Sequence, residues 1–550
     1  MANKWYVADF ETTSAIYYNK NGYTKVWLYG LCDDDCNIIK IGTSIDDFMQ
    51  QAKRLYGKVI YFHNLKFDGT FILDWLLNNG YEYKDDLSKV DKGFNALIGD
   101  MGQFYSITFK FTKNKQVHFY DSLKVLPFKV EKLAHDFNME IEKEKIDYED
   151  YTLNAKSLIY QIHDIKIVAT ALKAIKEEGM TKMTTASCAY TSFKSMYNSE
   201  CFDNRFPVLP KDFLLEWRQA YRGGRCQVNP LYQGKILKNV KRFDINSMYP
   251  WAMHDMPLPY GMPIELDKPN QYPFELYKIN IGFVLKPDCL PSLLKKNTLY
   301  QDDTYYIESD GVIELYISNI DLDLVKRNYN IYYLEYVKIY GFTCNTYSFR
   351  AYIDKWYARK KVDKGAQKLV DKLMLNSLYG KFGSNPEGQH KIPKLDEENI
   401  LSFDNSEVEE MKPYYLPVAI AVTSWAHKKI DDGIHMTGIE NFVYVDTDSI
   451  HTLGTLPDDE IDQTILGKYK LEGIETISKY VRQKCYVYLQ DDKYTITCAG
   501  MTDEMKRNVI KQYGKNIFTE FKSGFSCNGK LIPKRVKGGT ILYETTFTIK

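Results

Sequence analysis

The chain has 550 residues, 44% of them hydrophobic and 26% charged; that composition is ordinary for a globular protein, and the length excludes a single hydrophobic core. Its 72 Lys and Arg equal its 72 Asp and Glu, which excludes the strongly basic kind of nucleic-acid binder. The neutral total hides an uneven distribution: nine basic against three acidic residues from Arg350 to Lys381, ten against four from Asp503 to Lys550, and five against fifteen from Leu401 to Glu475. Basic stretches suit phosphate contacts and carboxylate-rich ones suit divalent cations or a partner protein, although either is also an ordinary solvated face. The ten cysteines are scattered without CxxC spacing, so reduced thiols in a cytoplasm are expected. Charge comes too early at the N-terminus for a signal peptide, and no apolar run is long enough to span a bilayer.

The opening Trp5-Tyr-Val-Ala-Asp-Phe-Glu11 and Lys58-Val-Ile-Tyr-Phe-His63 read as short buried strands, and Thr152 to Glu178 has helical periodicity. Residues 1–185 are therefore expected to form one α/β unit. Asp9 and Glu11, two apart in a strand, share one face, where like charges repel unless a cation lies between them. Asn64-Leu-Lys-Phe-Asp68-Gly69 follows a strand and turns into a helix, while Tyr160 and Asp164 share a helical face at i and i+4. Such acids can hold two metals that activate water and stabilise a leaving oxygen, with the phenol orienting the water. Each acid alone would pass as a cap or a surface charge. In this order they resemble the three exonuclease motifs of proofreading DNA polymerases.

Farther on, Lys241-Arg-Phe-Asp-Ile-Asn246 reads as a strand, leading into Asp244-Ile-Asn-Ser247-Met-Tyr249-Pro250. Residues 257–350 are rich in Tyr, Pro and short β-like runs without a catalytic cluster. Tyr352 to Leu378 is predicted as one helix, ended by Asn385-Pro-Glu-Gly388. Along it Lys361, Lys364, Lys368, Lys372, Asn376 and Tyr379 fall within an arc of roughly 120°. Ala366, Leu369, Val370, Leu373 and Ser377 lie opposite. The cationic side suits a triphosphate, and Tyr379 suits a base. A polar connector then leads to the apolar Tyr415–Ala426 segment, and Phe442-Val-Tyr-Val-Asp446-Thr-Asp448-Ser-Ile reads as a hairpin whose acids are costly among apolar strands unless a cation compensates them.

Asp244-Ile-Asn-Ser-Met-Tyr-Pro, Lys372-Leu-Met-Leu-Asn-Ser-Leu-Tyr-Gly and Tyr444-Val-Asp-Thr-Asp-Ser resemble motifs A, B and C of the family B DNA polymerases. Tyr221-Arg-Gly-Gly224, Lys484-Cys-Tyr486 and the ending Thr545-Thr-Phe-Thr-Ile-Lys550 resemble its protein-primed branch, encoded by small tailed phages with linear double-stranded DNA genomes. The resemblance runs nearly end to end. It implies a multidomain α/β and α+β fold: an RNase H-like 3′-5′ exonuclease domain (1–185) followed by a right-hand polymerase with two terminal-protein-region insertions. The palm would occupy 186–256 and 416–498, the insertions 257–350 and 391–415, the fingers 351–390 and the thumb 499–550.

By the same resemblance, Asp244, Ile245 and Asp448 would be metal ligands with Asp446 beside them, and Tyr249 would exclude ribonucleotides. Lys368 and Lys372 would hold nucleotide phosphates, while Asn376 and Tyr379 shape the nascent pair. Lys484, Tyr486 and Ser247 would contact primer DNA, and Tyr221, Arg222, Gly223 and Gly224 the template. In the exonuclease Asp9, Glu11, Asp68 and Asp164 would bind metal, with Tyr160 and Lys143 assisting. Thr12, His63, Asn64, Phe67, Ser122 and Leu123 would hold the frayed strand. Met248, where leucine is usual, and Glu144-Lys145 after Lys143 depart from the family pattern. Two Mg²⁺ per site, replaceable by Mn²⁺, are implied. The implied partners are template and primer DNA, dNTPs, a terminal priming protein and phage single- and double-stranded DNA-binding proteins, with no membrane, in the cytoplasm of a bacterial host. An ordinary family B enzyme extending nucleic-acid primers is the nearest alternative. A standalone nuclease or DNA-binding scaffold would leave the second acid set and the lysine helix unused.

Overall fold

Two seven-stranded sheets carry the two acid sets. The computed structural model describes residues 4–137, 139–140, 149–296 and 304–550. In the first sheet the spatial order is Ile38–Gly42, Val26–Asp33, Trp5–Thr12, Val59–Phe62, Lys115–Asp121, Phe104–Thr112 and Gly93–Ile98. Trp5–Thr12, Val59–Phe62 and Lys115–Asp121 run parallel, and the remaining pairings are antiparallel. Every residue of Val26–Asp33 is buried, as a strand covered on both faces requires. Its cover on one side is the helix Ala155–Glu177, which starts at an Asn154/Ser157 capping box. Gly30 lets that helix come close: a Cβ there would lie 2.9 Å from Gln161.

The second sheet is antiparallel throughout, in the order Lys493–Cys498, Cys485–Gln490, Tyr469–Arg482, Ile236–Ile245, Ser449–Thr452, Phe442–Asp446 and Cys226–Val228. The predicted apolar segment at Tyr415 becomes the helix Leu416–Thr437, whose buried residues run from Leu416 to Thr437. Before this sheet, Thr185–Lys194, Ser199–Arg205 and Lys211–Trp217 are helical. Residues 257–350 are more regular than expected: Phe274–Leu285 and Tyr329–Phe342 are strands of 12 and 14 residues, followed in the first case by Ile313–Ser318 and the helix Asn319–Asn328. Register shifts at Lys278/Ile279 and Gly282/Phe283 break their alternation, which is why they read as short runs. In 391–415, Lys391–Leu395 pairs with Leu401–Asn405. The chain ends in the helix Asp503–Tyr513 and the hairpin Ser526–Val536/Gly539–Thr548.

The single helix expected from Tyr352 to Leu378 is two, Arg350–Val362 and Gly365–Phe382. Asp363 (ψ 151°) and Lys364 (φ −127°, ψ 162°) are extended between them, and Gly365 takes φ +55°, a conformation open to glycine. Lys361 and Lys364 therefore do not belong to the lysine face, which keeps Lys368, Lys372 and Asn376, all exposed. Its buried side is Val370, Asp371, Met374, Leu375, Leu378 and Phe382, one position on from the apolar side expected.

Candidate active sites

Asp244 ends the strand Ile236–Ile245, in register with Ser449 on one side and Lys470 on the other. Asp446 and Ser449 face each other across the hairpin, so Thr447 and Asp448 form its tight turn, with Thr447 at φ +64°. The Asp448 carbonyl accepts the Ile245 amide at 2.8 Å, which fixes Asp448 beside Asp244. Ile245's side chain is buried and apolar, leaving its carbonyl oxygen as the donor it could offer a metal. Burial first, then the charge of Asp448, raises the Asp244 pKa to about 7. Asp448 is also raised, by burial and by Asp446, against its own amide and the Lys372 ammonium. Asp446 instead meets the Lys484 ammonium at 2.5 Å and accepts the Tyr444 hydroxyl at 3.3 Å. The three acids line one cleft of about 610 Å³.

Cations approach this pair from the helix hairpin. Lys372 acts on Asp448, and Lys360 acts on Asp244 while donating to Ser247 Oγ at 2.7 Å. Lys360 escaped the sequence reading because it lies in the first helix, Arg350–Val362, off the face that one continuous helix gave Lys361 to Tyr379. Tyr249 and Tyr379 stack with centroids 4.2 Å apart and 25° between planes. Gly224 fits against them: a Cβ there would lie 2.9 Å from Thr447 Cγ2 and 3.1 Å from the Tyr249 hydroxyl. Gly383 similarly leaves room for the Tyr221 ring, 2.6 Å from where its Cβ would be.

Arg222 is buried and donates to the carbonyls of Leu294 and Tyr316, so its guanidinium anchors the loop to residues 257–350 and is turned away from solvent. The Gly223 carbonyl lies 2.6 Å from His427 Nε2, whose Nδ1 lies 2.9 Å from Asp321 Oδ1. Tyr486 stacks on Tyr480 at 5.2 Å, behind the Lys484 turn. Neither His427 nor Asp321 carried a motif in the sequence.

At the first sheet, Glu11 on the strand Trp5–Thr12 and Asp68, Tyr160 and Asp164 on the helices packed against it are buried. Asp68, in the first turn of Leu65–Asn78, is held well above the usual carboxylate range by burial and then by Asp9, with Glu11 adding to it. Gln161, between Tyr160 and Asp164, donates to the Asp9 carbonyl at 3.0 Å, so the helix face bearing them lies over the strand of Asp9 and Glu11. Lys143 lies outside the described residues. Thr12 closes the same strand. Asn64 (φ +76°) and Phe67 line a cavity of about 740 Å³ shared with Phe403, Arg535 and Leu542. Ser122 is fully buried, donates to the Phe62 carbonyl at 3.0 Å and lies 2.9 Å from His63 Nδ1. Asp121, missed in the sequence, accepts the amides of Asn64, Leu65 and Leu123 at 3.0, 3.3 and 3.0 Å and so builds the loop that those residues share.

Among the described residues no three His, Cys, Asp or Glu side chains form a ready metal cage. Mg²⁺ needs none, since it takes one or two carboxylates and completes its shell with water and substrate phosphates. Hard oxygen donors such as Asp244 and Asp68, raised by burial and then by neighbouring carboxylates, fit such an ion. Among the described residues no helix is long and apolar enough to cross a membrane.

Residues 52–166 and 149–465 match the family described as DNA polymerase type B, organellar and viral. The DNA polymerase of Bacillus phage phi29 is 36% identical, with all of both chains covered. That of Streptococcus phage Cp-1 is 33% identical over 99% of this chain and 98% of its own. The solved structure of phi29 DNA polymerase complexed with primer-template DNA and incoming nucleotide substrates superposes with a TM-score of 0.90 at 36% identity, covering both chains fully. Complexed with single-stranded DNA, it gives 0.91 at 35%. The fold expected from the sequence, an exonuclease-type domain followed by a right-hand polymerase, is thus the observed one. On this full-length likeness and the family match, the chain belongs to the type B DNA polymerases of organelles and viruses.

Proposed function

We propose that this DNA polymerase is phage-encoded, acts in the host cytoplasm, starts replication on a hydroxyl of a terminal protein, and corrects errors with a 3′-5′ exonuclease centred on Asp9, Glu11, Asp68 and Asp164. The observation that carries the polymerase centre is the register that sets Asp244 beside Asp448 with Lys360 and Lys372 facing them. Two Mg²⁺, or Mn²⁺, when bound at each centre supply charge neutralisation at the reacting phosphate. Asp244, Asp448 and the Ile245 carbonyl would hold them at the polymerase centre.

The chain's own residues then do the positioning. Lys360, Lys368 and Lys372 grip the triphosphate of a dNTP, with Ser247 holding Lys360 in place. The stacked Tyr249 and Tyr379 form a floor beneath sugar and base, leaving no space for a 2′-hydroxyl. Asn376 borders the nascent pair. Lys484, now on Asp446, is placed to exchange that carboxylate for a primer phosphate, with Tyr486 behind it. The primer oxygen attacks the α-phosphate and pyrophosphate leaves, so the same step serves a DNA 3′-OH and a Ser, Thr or Tyr hydroxyl of a priming protein. In the exonuclease Tyr160 orients the water, and Thr12, Asn64, Phe67 and Leu123 hold the frayed end, with His63 and the buried Ser122 supporting them.

Protein priming is supported by the full-length likeness to phage polymerases and by the folded segment 257–350, which anchors Arg222 and, through Asp321 and His427, the Gly223 carbonyl. Asp448→Ala is expected to abolish dNTP incorporation while sparing exonuclease; survival of both activities would remove the assignment. Template, Mg²⁺, labelled dATP and a lysate of infected cells should label a protein on a denaturing gel. Primer extension without such a band would favour ordinary priming.

A further inference from the structure

Arg359 precedes Lys360 in the first helix of the hairpin, and Asp371 precedes Lys372 in the second. Behind the two cations that face the carboxylates therefore lies a second charge cluster. Arg359 Nε is 2.9 Å from Asp371 Oδ1 and 3.4 Å from Asp363 Oδ2, and its Nη2 is 2.8 Å from Glu178 Oε2. Its guanidinium also lies 5.1 Å from the centre of the Trp356 ring. Asp371 is completely buried, so it depends on Arg359 for compensation, and an acid without it would not be kept there charged.

The four groups come from four pieces of chain. Arg359 is in the first helix, Asp363 in the break, Asp371 in the second helix, and Glu178 caps the end of Ala155–Glu177, the helix that carries Tyr160 and Asp164. One planar guanidinium thus joins both helices of the hairpin to the exonuclease-side domain, a geometry that a lysine's point charge cannot reproduce. The break at Asp363–Gly365 is where the hairpin would otherwise flex, and Arg359 spans it.

We propose that Arg359 is a positioning residue for nucleotide binding: by tying the two hairpin helices to Glu178, it keeps Lys360 and Lys372 directed at the carboxylate pair and so sets the affinity for the incoming dNTP. This rests on the reading that those lysines hold the triphosphate. The cluster touches no reacting atom, so its loss weakens ground-state and transition-state binding alike.

The test is steady-state primer extension with dNTP titration, alongside thermal melting. Arg359→Met alone leaves Asp371 buried and uncompensated and is at risk of misfolding; the double variant R359M/D371A removes cation and acid together, so that no fully buried charge is left unpaired. It is expected to raise the dNTP KM about tenfold with kcat within about twofold of the parent. Glu178→Gln, on a partly exposed arm, should raise KM about threefold in a protein that melts normally. R359K should raise KM less than the double variant does. Folded E178Q and R359M/D371A proteins with the parent's KM, while Lys372→Ala raises it, would overturn the proposal alone. An unchanged KM in Lys372→Ala would remove the reading beneath it, and the proposal with it.

Discussion

Replacing Asp244 by Asn separates what the carboxylate pair costs the fold from what it does. Burial, then Asp448 and Glu472, raises the Asp244 pKa from 3.8 to about 7. Three units at ~1.4 kcal/mol each would amount to ~4 kcal/mol, and the partial exposure of the side chain cuts this to about 2 kcal/mol. The folded chain keeps a proton that the unfolded chain has already lost between these two values, so stability falls as pH rises through this window and the full penalty stands above about pH 7. Asparagine carries no such charge. D244N is expected to melt a few degrees above the parent in EDTA at about pH 8, with the gap shrinking toward pH 5. Mg²⁺ should raise the parent's midpoint and close the gap, because the variant has lost a ligand, and incorporation should be abolished. Thermal scans with EDTA and with Mg²⁺ across this pH range, paired with primer extension, measure each part. A variant that melts below the parent in EDTA, or that gains as much from Mg²⁺, would refute the reasoning.

Asp121→Ala removes the acceptor shared by the amides of Asn64, Leu65 and Leu123; leaving the buried Leu65 amide open costs about 1–3 kcal/mol and the loop loses its two other anchors, so excision of a single-stranded 3′ end should fall by about tenfold while primer extension persists. His427→Leu leaves the buried Asp321 carboxylate without its nearest imidazole, which should lower stability by about 3–5 kcal/mol and, by freeing the Gly223 carbonyl, weaken primer-template binding in a gel-shift assay. Gly383→Ala brings a methyl to 2.6 Å from the Tyr221 ring, forcing that ring to move. Its expected effect is weaker retention of primer-template DNA with single-strand degradation unchanged, read by the same gel-shift and by nuclease assay.

Both acid sets were legible because a carboxylate in an apolar strand or tight turn is costly enough to stand out from its neighbours. Asp9 with Glu11, and Asp446 with Asp448, announce themselves by two-residue spacing within apolar, strand-like runs. What the sequence concealed depends on partners far along the chain. The lysine face seemed to extend from Lys361 to Tyr379 because 3.6-residue spacing survives the insertion of a short break; the conformation at Asp363, Lys364 and Gly365 divides it, and Lys360, in the helix before the break, reaches Ser247 instead. Arg359 reads as one more charge in a basic run, and its three carboxylates lie 4, 12 and 181 positions away. Arg222 adds a structural role that its motif did not announce. Its motif suggested a contact with DNA, while its burial against two carbonyls of residues 257–350 makes it an internal anchor.

The two centres also differ in how complete they are without substrate. Asp68 is raised by burial first and then by Asp9 and Glu11, so that centre gathers its acids on one strand and the helix beside it. At the polymerase centre Asp244 and Asp448 repel each other while Asp446 is held by Lys484. On the two-metal reading proposed above, the remaining oxygen donors would come from the nucleotide's own phosphates, as a small hard cation prefers. Lys360 and Lys372 temper the acids' charge and, on that reading, would bring those phosphates to them. Nucleotide and cation would then complete one site jointly, and whatever fixes those two lysines, including the Arg359 cluster, would govern both.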